Sequence, residues 1–349
     1  MRIGLTYDLR SEYLAQGYEE EATAEFDSER TLEALESALD SLGHDPERIG
    51  GLKALVQRLA DGGGERWDLV FNIAEGLRGF GRESAIPALL DAYGIAYTFS
   101  DPLVLALSLH KGMTKRVMRD LGLPTAAFAV VEEAEEAARV ELAYPLFVKP
   151  VAEGTSKGVS VRSKVHDRAE LERECARLIE KFRQPVLVEE FLPGREVTVG
   201  LIGTGDAARA VGALEISLRG GAECGSYTYH AKEHWQKLVE LSVPRDDFAR
   251  QAEALALATW RGLGCRDAGR VDLRADRDGK WCVMEVNPLP GLNPFHSDLP
   301  ILCGRVGMSY RELIGRIVES AMARVEARDA AGSLEVKSCP GAKRERIET

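Results

Sequence analysis

The stretch Gly269 to Pro294, GRVDLRADRDGKWCVMEVNPLPGLNP, decides the fold of this chain. Two runs of alternating apolar and polar residues flank Asp278-Gly279, a pair that suits a two-residue hairpin turn because such a turn needs positive φ at its centre. Centring the turn there sets Asp272 opposite Glu285 and Arg270 opposite Asn287, all on one face, because side chains alternate along a strand. The other face pairs Val271 with Val286, Leu273 with Met284 and Ala275 with Cys282, and reads as the buried side. Two carboxylates directly opposed across a ladder repel each other. A divalent cation between them removes the conflict, and Asn287 adds a third hard oxygen. Oxygen ligands without His or Cys favour Mg²⁺ or Mn²⁺ over zinc, and Mg²⁺ with few protein ligands usually binds substrate phosphates too. Arg270 beside them supplies the fixed positive charge that a developing anion needs. The competing interpretation is a solvent-facing hairpin with unpaired acids, and a slip of one residue in register would scatter the four groups.

A second signal lies upstream. Val148-Lys149-Pro150 ends an apolar run and is followed by the small-residue loop Glu153-Gly-Thr-Ser-Lys-Gly158. A lysine beside a loop whose backbone can approach oxygens closely suits a nucleotide phosphate cradle. The pattern GxxxxGK[ST] is absent, so this is not a Walker A loop, and an ordinary hairpin with an exposed lysine has a similar local pattern.

Composition narrows the function classes. At 349 residues the chain can form two or three domains, with 45% hydrophobic and 29% charged residues as in ordinary globular proteins. Forty-five basic against 56 acidic side chains give a net charge of −11, which argues against a broad nucleic-acid surface but not against small phosphates. No apolar run approaches the roughly 18 residues of a membrane span, and the N-terminus lacks the apolar core of a signal peptide. The six cysteines contain no CxxC pair and read as reduced thiols of a cytoplasmic protein. His230 and His234 have helical metal-ligand spacing, but their surroundings read as a loop and not as a zinc site.

Along the chain, residues 1–7 read as a strand, residues 10–30 as irregular and acidic, and Ser28 as the cap of a helix with Leu32, Leu35, Leu39 and Leu42 on one face, ended by Gly43. A glycine loop at 61–64, a buried strand at 67–73, a helix near 86–93 and a short strand at 96–98 complete a mostly parallel α/β region. One helical stretch is expected over 102–121, strands over 145–150, 159–162 and 185–190, and a helix over 168–182. The remainder reads as strand-rich with one long helix near 247–263, and the polar sequence past Ala327 as a flexible tail.

Taken together, these segments resemble the D-alanine–D-alanine ligase family of the ATP-grasp superfamily. The likeness runs from about Val70 to Arg316 and is strongest at DPLVLALSLHKGMTK, YPLFVKPVAEGTSKG, VLVEEFLPGREVTVG, GCRDAGRVDLR and MEVNPLPGLNPFHSDLP. It implies an α/β, three-domain ATP-grasp fold, α+β in its C-terminal part: residues 1–105 Rossmann-like, 106–188 central, 189–327 C-terminal with the metal site, and 328–349 as tail. It implies ATP between the central and C-terminal domains. Lys111 and Lys149 would contact phosphates, Glu189, Glu190 and Leu192 would line the adenine and hinge, and Glu196 would meet the ribose. Asp272, Glu285 and Asn287 would hold Mg²⁺, while Arg270 and the backbone near Gly291 would stabilise a tetrahedral intermediate. Thr155 or Ser156 would sit near substrate in a closing loop, and Lys232 would reach the phosphates from a mobile loop. The implied reaction converts one carboxylate into an acyl-phosphate, which an amine then attacks. A homodimer through the N-terminal domain belongs to the same resemblance.

The departures from the family pattern cluster where substrates bind. No N-terminal glutamate can be matched to the one that anchors the first amino group; Asp8, Glu12 and Glu25 are the candidates. Glu75-Gly76 stands where the family has His-Gly, and Ala231-Lys232-Glu233 where it has Ala-Lys-Tyr, with His234 as a substitute for the tyrosine. The segment after Gly291 is longer and brings Asp298 next to Ser297. The resulting expectation is an ATP-dependent carboxylate–amine ligase for amino-acid or amine substrates, with an altered pocket that the added acids suit to a basic partner. D-Alanine dipeptide formation, a nucleotide-binding regulator without turnover and an ATP-grasp kinase are the alternatives.

Overall fold

The computed structural model describes residues 1–218 and 239–337. In β1 (Arg2–Thr6) every residue after Arg2 is buried, as expected of the centre of a parallel sheet. β2 (Asp45–Gly50) and β3 (Leu69–Asn72) flank it in the order β2-β1-β3, both parallel to it. Parallel neighbours need crossovers, and α2 (Glu29–Ser41) and α3 (Leu52–Ala60) supply them. Leu32, Leu35 and Leu39 of α2 are fully buried on the expected face, and the chain leaves the helix at Gly43 with φ +82°. The stretch expected to be irregular contains a short helix, α1 (Arg10–Ala15), because Asp8 and Asp27 hydrogen-bond through their backbones and bring its two ends together. β2 and α3 escape the sequence pattern: β2 (DPERIG) buries only Ile49 and is held by pairing with β1.

After α4 (Ala85–Ala92), the single helix expected over 102–121 is two, α5 (Pro102–Leu109) and α6 (Lys111–Asp120). His110 breaks them with ψ 87°, and its imidazole caps α6 by accepting the Met113 N–H at 3.2 Å. The break places Lys111 at the start of α6, where its ammonium donates to the Glu153 carbonyl at 2.7 Å.

The second sheet is antiparallel, order β4-β7-β5-β6, from β4 (Phe128–Val131), β5 (Leu146–Pro150), β6 (Lys164–Val165) and β7 (Val186–Glu190). α7 (Arg168–Phe182) packs on it through Leu171, Cys175 and Leu178. The strand expected at 159–162 is absent; Ser160 accepts the Arg162 N–H and caps a 3₁₀ turn, the competition that serine side chains offer to extended structure.

The third sheet is also antiparallel, order β10-β9-β8-β11-β12, built from β8 (Glu196–Ile202), β9 (Arg209–Leu218), β10 (Val239–Ser242), β11 (Ala268–Ala275) and β12 (Trp281–Asn287). α8 (Asp247–Gly262) covers one face with Ala252, Ala256 and the fully buried Trp260. α9 (Asp298–Arg305) and α10 (Tyr310–Lys337) follow. The region is strand-rich and has the expected helix near 247–263, but α10 is a second long helix beyond that reading. Ile314, Ile317, Val318 and Ala321 of α10 share a core with Ile3, Leu5 and Leu35, so the C-terminal helix closes the N-terminal sheet. That helix continues past Ala327 to Lys337, where the polar sequence suggested a tail; alanine and long straight side chains sustain a helix without an apolar stripe.

The three expected boundaries, after residues 105, 188 and 327, fall inside α5, β7 and α10. Motif positions suggested them, but backbone hydrogen bonding keeps each of these elements whole. Among the described residues no helix is long and apolar enough to cross a membrane.

Candidate active site

The β11–β12 hairpin has the expected pairing where it matters: Arg270 faces Asn287, Val271 faces Val286 and Asp272 faces Glu285. Its turn differs. Asp276 N–H donates to the Lys280 carbonyl and Gly279 N–H to that of Asp276, so the loop has three residues with positive φ at Gly279 alone. The Asp276 carboxylate accepts the N–H groups of Asp278 and Lys280, fixing this loop in place of the two-residue turn. The longer loop shifts the pairing by one, giving Ala275–Trp281, Arg274–Cys282 and Leu273–Val283, and a bulge at Met284 shifts it back. The expected Leu273–Met284 and Ala275–Cys282 pairs are thereby replaced. Met284 joins Glu285 in lining the cleft.

Around the hairpin the acids are held tightly. Asp272 accepts the Thr198 hydroxyl at 2.5 Å and the Asn287 amide N–H at 3.1 Å, and Arg270 Nε lies 3.3 Å from Asp272 and 3.7 Å from Asp298. Glu285 is 3.6 Å from the Lys111 ammonium. Burial pushes the Asp272 carboxyl up to about 6; Arg270 opposes the rise and Glu285 adds to it. Among the described residues no group of three or more His, Cys, Asp and Glu is arranged to hold a metal. The donors here are two carboxylates and one amide. Asn287 spends an N–H on Asp272, which leaves its carbonyl oxygen available as a ligand. This donor set fits a hard cation that completes its shell with phosphate and water.

β5 and α6 present the cations, and β7 the acid between them. Lys149 Nζ is 2.7 Å from one Glu189 oxygen and Lys115 Nζ 2.8 Å from the other. Burial alone would raise the Glu189 carboxyl, but the two ammonium groups outweigh it and hold it at about 2. Glu189 therefore fixes Lys149 in place. Lys115 was not anticipated, although it lies one helical turn beyond Lys111 and the i, i+4 spacing of KGMTK was visible. Glu190 and Leu192 line the same cleft, and Glu196 pairs with Arg274 at 3.1 Å.

In the small-residue loop, Thr155 and Ser156 are consecutive left-handed residues, with φ 50° and 55°, a conformation that costs energy without glycine and clusters at functional sites. Glu25 grips this loop. It accepts the Gly154 N–H at 2.5 Å and pairs with Arg82 at 3.0 Å and Lys157 at 3.1 Å. A Cβ on Gly154 would overlap the Glu25 carboxylate oxygen and push that side chain off the loop. Neither Arg82 nor Lys157 stood out in the sequence, since their role depends on a contact made 132 residues away in one case.

Two cavities adjoin along this cleft. One, of about 110 Å³, is lined by Lys111, Lys149, Glu189, Glu190, Leu192 and Glu196, with Ser156, Asp272 and Glu285 also on its wall. The other, of about 320 Å³, is lined by Glu75, Thr155, Asn287, Gly291, Ser297 and Asp298. Lys111, Arg270, Glu285 and Asp298 face both. Ser297 accepts the Asn293 N–H at 3.1 Å. Of the three candidates for anchoring an amino group, Asp8 is spent on Tyr13 and the Gly76 N–H, Glu12 is exposed, and Glu25 is committed to the loop. Lys232, with Ala231, Glu233, His230 and His234, lies outside the described residues, as do Cys224 and Cys339. Cys175, Cys265, Cys282 and Cys303 are buried free thiols.

A family model described as D-ala D-ala ligase C-terminus matches residues 117–319. The D-alanine–D-alanine ligase of Bordetella petrii is 34% identical over 295 residues, covering 84% of this chain and 87% of that protein. The Bordetella avium enzyme of the same name is 37% identical over 253 residues, covering 71% and 77%. Among solved structures, D-alanine–D-alanine ligase from Bacillus anthracis complexed with ATP superposes with a TM-score of 0.69 at 21% identity, covering 94% of this chain and 99% of that one. VanG D-Ala:D-Ser ligase from Enterococcus faecalis has the same TM-score and identity, covering 92% and 99%.

Proposed function

Because the chain belongs to the D-alanine–D-alanine ligase family and has its ATP-grasp fold, we propose that it joins a carboxylate to an amine of amino-acid-sized substrates at the expense of ATP, with a substrate pocket that departs from the family's. The observation that carries this is the junction of the two cavities, where Lys111, Arg270, Glu285 and Asp298 face both the first cleft and a second chamber, with Asp272 opposite Glu285 on the wall of the first. ATP-dependent, ADP-forming carbon–nitrogen ligation is the activity of this family, and the chamber beside the cleft suits the small second substrates such a reaction needs.

In this proposal Lys149, steadied by Glu189, and Lys111 bind phosphate oxygens, while Glu190, Leu192 and Glu196 bind the nucleoside end. Asp272, Glu285 and Asn287 hold magnesium, which when bound neutralises phosphate charge during transfer. Arg270 is buried and kept charged by Asp272 and Asp298, so it meets the anion that develops as the amine attacks, together with the backbone at Gly291. Thr155 and Ser156 cover the phosphates and exclude water that would hydrolyse an acyl-phosphate. Glu75, Ser297 and Asp298 contact the amino-acid substrates. A homodimer is part of the proposal by family likeness. Asp272→Ala and Glu285→Ala are expected to abolish ADP formation while circular dichroism stays that of the parent. Parent-like turnover in either variant overturns the site. Product mass separates ligation, which loses water between two substrates, from a kinase reaction, which adds phosphate.

A further inference from the structure

We propose that the second cavity is built for an amino-acid substrate carrying an additional ammonium group, such as a diamino acid; this rests on the ligase reading above. The cavity wall carries seven carboxylates against three cations, Arg10, Lys111 and Arg270, and Arg10 donates to the Glu20 carbonyl. Glu25 is satisfied by Arg82, Lys157 and the Gly154 N–H, and Glu153 by Lys157 and Gln184. Glu285 and Asp298 face Lys111 and Arg270. Three carboxylates are left: Asp27, Glu75 and Glu83.

Glu83 is only 9% exposed, and none of the described residues donates a hydrogen bond to it. Its nearest cation, Arg82, is 3.8 Å away, and that guanidinium already serves Glu25 and the Ala152 carbonyl. Glu75 has no hydrogen bond or ion pair to any described residue, and Asp27 has only the Thr31 hydroxyl. Burial pushes Asp27 and Glu83 up to about 7, with Asp8 and Glu25 respectively adding repulsion, and burial together with the charges of Glu83, Glu25 and Asp27 holds Glu75 well above the usual carboxylate range. Buried acids of this kind stay charged only beside a counter-ion and otherwise hold their protons. One α-ammonium group compensates one of them. A substrate carboxylate is served by Arg270 at the junction, so the remaining negative charge selects a second cation on the substrate.

The test pairs charged amino acids with uncharged isosteres: ornithine against norvaline and lysine against norleucine, in both enantiomers, with ATP and Mg²⁺ and either alanine enantiomer as co-substrate. ADP release and product mass are the readouts. The expected result is a kcat/KM at least about tenfold higher for a charged member, a difference of about one ordinary ionic contact. Glu83→Gln is expected to erase that preference by raising KM for the charged substrate, with KM for ATP within about twofold. Independently of any variant, ornithine or lysine should raise the melting temperature of the enzyme with a non-hydrolysable ATP analogue more than its isostere does. Equal or better use of norvaline, norleucine or alanine overturns the inference, as does a preference that survives Glu83→Gln. ADP and dipeptide formed from uncharged amino acids alone would sink the inference and keep the ligase, whereas no ADP with any amino acid would sink both.

Discussion

At pH 8 the Glu83 carboxyl is ionised in a site that disfavours it: burial raises it to about 7, with Glu25 adding repulsion and Arg82, Lys111 and Lys157 only partly offsetting it. A carboxyl whose folded pKa lies above its ordinary value stabilises the fold below that ordinary value and loses the contribution as pH rises through about 7. At about 1.4 kcal/mol per unit, the ionised group costs the ligand-free protein on the order of 3 kcal/mol. Glu83→Gln should therefore raise the melting temperature at pH 8 by several degrees, with the gain vanishing near pH 5. A gain of equal size at both pH values would assign the effect to packing instead. At this scale the sequence was legible for groups whose partners are close in register: Asp272 against Glu285 followed from strand alternation. Glu83 and Lys115 were not, because desolvation and an ion pair with Glu189 are properties of the assembled site.

The elements show why the hairpin's active face could be inferred from a turn that was wrong. The three-residue loop and the bulge at Met284 each displace the ladder by one residue, in opposite senses, so the pairs beyond the bulge return to the expected register. Bulges are set by local twist and by what the displaced side chain can reach, here the cleft lined by Glu285, and alternation alone cannot signal them. The same scale holds the contact between the segment before α2 and the 153–158 loop. Glu25→Gln should cost about 2–3 kcal/mol, since the carboxylate is buried and hydrogen-bonded to charge, while Arg82 keeps the Ala152 carbonyl and Lys157 keeps Glu153. It should also speed proteolysis of the 153–158 loop and lower kcat more than it raises KM for ATP. Unchanged proteolysis would mean that the loop holds its left-handed residues without this contact.

Across the whole molecule, Asp267 ties the N-terminal and C-terminal parts together. It is fully buried, lies 2.6 Å from Arg324 of α10, and accepts the Phe99 N–H at 2.7 Å and the Ser320 hydroxyl at 2.8 Å. Arg324 also donates to the Tyr97 carbonyl. Asp267→Ala strands that arginine and should destabilise the protein by about 3–5 kcal/mol, with denaturant melting broadened as α10 releases the N-terminal sheet. A parent-like transition would show that the apolar core shared by α2 and α10 suffices.

The sequence by itself determined the family, the ATP-grasp architecture and the face of the hairpin that carries Arg270, Asp272, Glu285 and Asn287. These rest on short-range periodicity and motif order, which are written residue by residue. Only the tertiary structure decided that the C-terminal helix completes the first sheet, that Glu25 is spent on the 153–158 loop, and that Asp27, Glu75 and Glu83 converge with too few cations. Those outcomes depend on burial and on contacts between distant segments, where the energy of a charge is set by neighbours that sequence spacing does not reveal.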